Sequence, residues 1–339
     1  MFCNILFDMQ PFFCNFEEKK ITLMEKVSTE QASGGLRFRG VGTALVTPFY
    51  YITTEQGFQS TRVNYGGLKD LVERQINAGI DYLVVLGSTA ETPTLCAEEK
   101  SCVMNTVRGY TQGRMPLVVG ISSNNTEALC EVLRYNTFEG FDAILSACPC
   151  YNKPSQRGLK EHFLAAAKAS RLPLILYNVP GRTGVNMLPE TVVQTALEAS
   201  NIIGIKEASG NKEQIRRLKA LVDSYAELQE RGFAIISGDD ALTPELAQDG
   251  TVCGVISVLS NALPKQWTEI IHHCLNDKDY RYDQRYDALT ELLFREGNPA
   301  GIKALLSVMG LCDNILRLPL TPVSQQLLNE IKAEAEQTH

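Results

Sequence analysis

Histidine is scarce in this chain of 339 residues, which carries His162, His272, His273 and His339 and no others. None stands in a metal-binding pattern, and the closest cysteine pair, Cys148 and Cys150, has one residue between its members rather than the two of a metal knuckle or a redox motif. No metal cofactor is therefore expected. Basic residues are not in excess: Lys and Arg number 32 against 39 Asp and Glu, a formal charge of −7, and no basic run is interleaved with aromatics. That balance argues against nucleic acid as a partner. Nowhere do about 18 apolar residues run together, so no membrane-spanning helix is expected and the chain reads as soluble. The ten cysteines sit singly in stretches such as Thr251-Val-Cys-Gly-Val-Ile256, where a thiol behaves as a small hydrophobe. Reduced thiols and a cytoplasmic location are the simpler expectation.

What is present is a large apolar fraction, 44% of the residues, enough for a single barrel of about 250 residues with appendages or for two ordinary domains. Residues 1–35 differ from the rest. They begin apolar but lack a basic start, contain Asp8 and run into Glu17-Glu-Lys-Lys20, so they make a poor secretory signal. They are expected to form a disordered N-terminal extension, and Met24 is an alternative start.

From Val41 onward, short apolar runs alternate with segments of helical period, the mark of repeated βα units and a parallel sheet. The runs are 41–47, 82–86, 117–120, 143–147, 174–177, 202–206, 234–237 and 252–257. Most are apolar throughout, as strands covered on both faces must be. Helix candidates fall between them at 65–78, 98–111, 126–138, 158–170, 189–198 and 212–225. Eight units in order predict a closed (β/α)8 TIM barrel over 36–260, the count alone arguing against an open doubly wound sheet. Residues 261–339 read as a C-terminal helical appendage, including a helix at 279–294, broken at Gly297-Asn-Pro299 and again around Leu318-Pro-Leu-Thr-Pro322.

Sites on such barrels are built at the carboxyl ends of the strands, so polar residues that close an apolar run are the candidates. Lys206 ends Ile202-Ile-Gly-Ile-Lys206. A lysine projecting into an apolar barrel loses hydration, which favours a free amine able to attack a carbonyl; the plain alternative is a strand-end lysine paired with Glu207. Tyr177 closes the fifth run and could relay protons, or be a core phenol. The turn after it fixes Arg182 near the mouth, where a guanidinium suits a carboxylate. Gly87-Ser-Thr-Ala-Glu91 offers hydroxyls and amides to a carboxylate or phosphate, or else Ser88 or Thr89 caps a helix. Tyr151 follows the fourth run. Asp239 and Asp240 follow the seventh and read as turn caps.

With these residues in hand, the stretch from about Arg37 to Pro322 resembles the dihydrodipicolinate synthase family, within the pyruvate-dependent class I aldolases that also include N-acetylneuraminate lyase. Tyr177-Asn-Val-Pro-Gly-Arg-Thr-Gly184 and Gly204-Ile-Lys-Glu-Ala-Ser-Gly-Asn211 carry the likeness most specifically. The resemblance implies a lyase of lysine (diaminopimelate) biosynthesis. Lys206 would form an imine with pyruvate, without any cofactor, and the enamine would attack aspartate 4-semialdehyde before the product cyclises. It further implies Tyr177 as proton donor and acceptor, with Thr89 and Tyr151 completing its relay and Tyr151 crossing a tight dimer. Ser88 and Thr89 would hold the pyruvate carboxylate, Arg182 the carboxylate of the aldehyde, and Gly238 and Ile256 would line the pyruvate side. A homotetramer built from dimers is implied as well.

Departures from the family pattern are Ser88 for a common Thr, Ala90 for a common Gly, and Cys150 for a Tyr of the dimer contact. The positions of the family's lysine-inhibition site fall on Ala97, Lys100, Asn124, Ala128 and Cys150, which implies weak or absent feedback by lysine. Two rivals stand beside this reading: a sister aldolase acting on another aldehyde or sugar acid, and a non-catalytic keto-acid sensor.

Overall fold

The computed structural model describes residues 35–338 except positions 54 and 56; the expected N-terminal extension lies outside the described residues, Gly35 apart. Eight parallel strands close into a barrel: β1 (Gly40–Ala44), β4 (Tyr82–Val85), β5 (Leu117–Gly120), β6 (Ala143–Ala147), β7 (Leu174–Asn178), β8 (Ile202–Glu207), β9 (Ala234–Ser237) and β10 (Gly254–Ser257). Closure is made by β1, which pairs with β4 on one side and β10 on the other. The expected (β/α)8 barrel is present with helices after the strands. The first apolar run proves shorter, ending at Ala44, and the last begins at Gly254 rather than Val252.

One element was not foreseen. Between β1 and the first helix, β2 (Phe49–Thr53) and β3 (Gln59–Val63) form a separate antiparallel hairpin. Its signal was legible, since Phe49-Tyr-Tyr-Ile-Thr53 is wholly aromatic or β-branched and a Gly-containing turn follows.

The long helices of the ring are α1 (Tyr65–Asn77), α2 (Ala97–Thr111), α3 (Thr126–Tyr135), α4 (Gln156–Ala169), α6 (Pro189–Glu198) and α7 (Lys212–Asp223), with α10 (Pro264–Asn276) lying against β1. Short α5 (Pro180–Thr183), α8 (Ala226–Glu230) and α9 (Thr243–Gln248) occupy loops. Several starts are capped by the residue types that accept from unpaired amides: Asn64, Asn125, Ser155 and Asn211. Beyond α10, the helices α11 (Asp287–Arg295), α12 (Ala300–Val308) and α13 (Gln325–Thr338) pack on one another as a C-terminal region. The helix expected at 279–294 begins eight residues later than anticipated, at Asp287.

The core has two shells. Inside the barrel, Ala44, Tyr82, Val84, Val118, Leu145, Ile175, Tyr177, Ile203, Ile236 and Ile256 fill the lumen, while the alternate residues of the same strands, such as Leu83, Val119, Leu174 and Leu176, face the helices. Gly42 makes room for this filling. A Cβ there would sit 2.1 Å from the Tyr82 ring.

Strand β8 breaks the alternation. Leu174 pairs with Ile202, but Ile175 pairs with Gly204, so β8 carries one extra residue at this point. Ile203 therefore points into the lumen and Ile205 points out, although they are two residues apart. The phase shift turns Lys206 inward beside its pairing partner Tyr177 and sends Glu207 outward.

Candidate active site

At the carboxyl ends of the strands lies a cavity of about 220 Å³ lined by Ser88, Thr89, Tyr177, Val179, Arg182, Lys206, Ala208, Gly238, Asp239, Val258, Phe294 and Asn298. Six of the residues expected to act on substrate thus meet in one place: Lys206, Tyr177, Thr89, Ser88, Arg182 and Gly238. They arrive from β8, β7, the loop after β4, α5 and the loop after β9.

Lys206 is 5% exposed, and its Nζ stands 4.7 Å from the centre of the Tyr177 ring. No carboxylate pairs with it among the described residues, so the alternative of a Lys206–Glu207 ion pair is set aside. Glu207 lies on the far side of β8, where it accepts from Asn178 Nδ2 at 2.9 Å, Ser209 N at 2.7 Å and Gln214 Nε2 at 3.3 Å. Burial pushes the Glu207 carboxyl above its ordinary range, against the pull of these donors. Near it, burial and the Glu207 charge push the Cys148 thiol up to about 12, leaving it inert as a nucleophile. On the other wall, Gly238 has no side chain because none would fit: a Cβ would come within 2.8 Å of Lys206 Cε and 2.5 Å of Ala208 Cβ.

Ser88, Thr89 and Ala90 form a single 3₁₀ turn bounded by left-handed residues, Leu86 at φ 57° and Glu91 at φ 56°. Ala90 itself is not among the residues of positive φ, so an alanine is accommodated where relatives commonly have glycine. Thr89 does not cap a helix; its Oγ1 accepts from Asn298 Nδ2 at 2.9 Å. Arg182, exposed at the mouth, donates from Nη2 to the Asn298 carbonyl at 2.8 Å.

Two of the expected residues stand apart from the cavity. Tyr151 is 88% exposed, outside it. Ile256 is buried within the lumen beneath it, and Val258, two residues on, lines the wall instead. Asp239 does cap its turn, accepting from Ala241 N and Leu242 N. Asp240 does something else: wholly buried, it accepts from Val258 N at 2.8 Å and Leu259 N at 3.0 Å, holding the loop after β10. Burial raises its carboxyl above the usual carboxylate range.

Sequence reasoning missed Phe294 and Asn298, which come from the C-terminal region. Gly297-Asn-Pro299 is the helix break that its composition predicts, and nothing local marks its asparagine as a site residue. Among the described residues no group of three His, Cys, Asp or Glu could hold a metal ion, and no helix is long and apolar enough to cross a membrane.

Residues 37–338 match the family model described as the dihydrodipicolinate synthetase family. The chain is 46% identical over 297 residues to the 4-hydroxy-tetrahydrodipicolinate synthase of Azobacteroides pseudotrichonymphae, covering 87% of this chain and 95% of that protein. It is 44% identical over 290 residues to the enzyme of the same name from Parabacteroides distasonis, covering 85% and 92%. The solved dihydrodipicolinate synthase of Thermotoga maritima superposes with a TM-score of 0.80 at 35% identity, over 89% of this chain and 99% of that one. With an amine buried against a phenol at the end of a closed barrel, and with relatives spanned almost end to end, this chain belongs to the dihydrodipicolinate synthetase family.

Proposed function

We propose that the chain condenses pyruvate with aspartate 4-semialdehyde to 4-hydroxy-tetrahydrodipicolinate, the product named by its relatives, through an imine on Lys206. The observation that carries this reading is the Lys206 amine, unpaired with any carboxylate among the described residues and facing a small cavity beside Tyr177. The amine adds to the keto carbon, and loss of water leaves the imine. Removal of a methyl proton then gives an enamine, whose carbon attacks the aldehyde. The amino group of the second substrate displaces Lys206 as the ring closes, and no external cofactor enters the balance.

Tyr177 takes the role of proton donor and acceptor, since its ring lies against the amine on the paired strand. Ser88 and Thr89 hold the keto-acid carboxylate, and Gly238 leaves the space the imine needs. Arg182 at the mouth takes the carboxylate of the aldehyde. Thr89 and Tyr151 complete the relay, and Tyr151 acts in the site of a neighbouring copy, a role consistent with a phenol 88% exposed on this chain. The assembly is a homotetramer of such dimers, working in the cytoplasm. Ile256 supports the pyruvate side from the lumen. Feedback by lysine is weak, because Asn124 spends its amide on Cys150, accepting from the Cys150 N at 2.8 Å and reaching its Sγ at 3.2 Å.

Incubation with pyruvate and borohydride, followed by mass measurement, tests the imine. A stable gain in mass that is absent from Lys206→Ala is expected; no gain with the unaltered protein would refute the reading.

A further inference from the structure

The C-terminal region does more than cover the barrel: Asn298, between α11 and α12, touches two residues of the proposed site at once. Its side-chain Nδ2 donates to Thr89 Oγ1 at 2.9 Å, and its backbone carbonyl accepts from Arg182 Nη2 at 2.8 Å. The residue is 8% exposed and lines the cavity. The same region grips the Thr89 loop again two residues on, where Glu91 accepts from Lys303 Nζ and, at 3.0 Å, from the Arg317 backbone N–H.

An amide NH₂ has only hydrogens to offer, so Thr89 Oγ1 must act as acceptor toward it. The single hydroxyl proton of Thr89 is then left over. Several buried threonines elsewhere spend that proton within the protein: Thr47, Thr111, Thr183, Thr195 and Thr268 donate to a backbone carbonyl, and Thr43 and Thr191 to the amide oxygens of Gln75 and Gln156. Thr89 has no other hydrogen bond to a protein group among the described residues. Its proton is free for the cavity.

We infer that Asn298 is a positioning residue that fixes the polarity of the Thr89 hydroxyl, keeping its proton directed at the bound keto acid and the Tyr177 phenol. The inference rests on the role proposed for Thr89 above. It makes the C-terminal region part of the reaction machinery, through a side chain that contacts no reacting atom.

Two variants of similar disturbance but opposite chemistry test it. In Asn298→Asp the new carboxylate keeps the shape yet can only accept, so it captures the Thr89 proton; in Asn298→Ala the hydroxyl is released to rotate. Turnover should fall about 10²-fold in Asn298→Asp and only about tenfold in Asn298→Ala. Acidification should restore Asn298→Asp relative to the unaltered protein, because the protonated carboxyl can donate again. Both variants should still be trapped on Lys206 by pyruvate and borohydride. In a Thr89→Val background the two should differ by no more than about twofold. A loss in Asn298→Ala equal to or greater than that in Asn298→Asp is the pattern of lost packing and would overturn the inference, as would a gap that persists without the Thr89 hydroxyl. Failure of the unaltered protein to be trapped would instead remove the imine reading on which this rests.

Discussion

Among the described residues two lysines are buried, and their surroundings could hardly differ more. Lys303, at the junction of barrel and C-terminal region, is 0% exposed; it donates to Glu91 and, at 2.9 Å, to the Ile315 carbonyl, with the Phe49 ring 4.1 Å away. Burial draws its pKa down, and the Glu91 charge opposes that pull. Lys206 is buried nearly as deeply but has no carboxylate partner among the described residues and faces a cavity. The difference teaches where to look for chemistry. A buried amine whose donors are all spent is holding two parts of a structure together, whereas one with donors to spare in a cavity is available to a substrate.

Replacing each lysine by methionine breaks the comparison most directly. Lys206→Met should abolish pyruvate trapping and lower turnover on the order of 10⁶-fold, as loss of a nucleophile does, while the melting temperature holds or rises. Kinetic assay and calorimetry on one sample would check both halves; residual trapping would show that the amine is dispensable. Tyr177→Phe comes next. Losing only a proton relay, it should slow turnover by roughly two to four powers of ten, with an unchanged circular dichroism spectrum.

Lys303→Met should act on stability instead, because it strands the Glu91 carboxylate without its cation. Removing one partner of a buried pair costs about 3–5 kcal/mol, read as a fall in denaturation midpoint, with the folded fraction still trapping pyruvate. Adding Glu91→Gln should recover part of the loss. If Lys303→Met were as stable as the unaltered protein, the junction would not depend on this pair.

The smallest effect belongs to the opposite end of the barrel. There His272 Nε2 meets Asp81 Oδ2 at 2.8 Å, and that hydrogen bond, helped by the Asp81 charge, raises the imidazole pKa against desolvation. A raised folded-state pKa stabilises the protein below the ordinary histidine value, about 6.5, and the gain disappears as pH rises through the folded value. The His272 side chain is 43% exposed, so solvent screening limits the contribution to a few tenths of a kcal/mol. His272→Gln should melt slightly lower than the unaltered protein at pH about 5.5, below that ordinary value, and the two should converge under alkaline conditions.

The barrel was legible because each βα unit repeats the same constraint: a strand covered on both faces must be apolar, and the polar residue that ends it must stand at the mouth. Lys206, Tyr177, Thr89 and Ser88 could be read off by that logic alone, whereas Gly238 was marked only by the family resemblance. The hairpin Phe49–Thr53 with Gln59–Val63 escaped it, since it belongs to no βα unit.

From residue order alone, then, came the type and number of the units and the chemistry gathered at their ends. Period and composition are local properties, and they act through the nearest neighbours in the chain. Which of Lys206 and Glu207 faces the lumen was decided otherwise, by one extra residue in β8 against β7, a matter of pairing that neither strand encodes by itself. The arrival of Asn298 at Thr89, from 209 residues away, is likewise set by how the C-terminal helices pack on the barrel, and no local pattern could announce it.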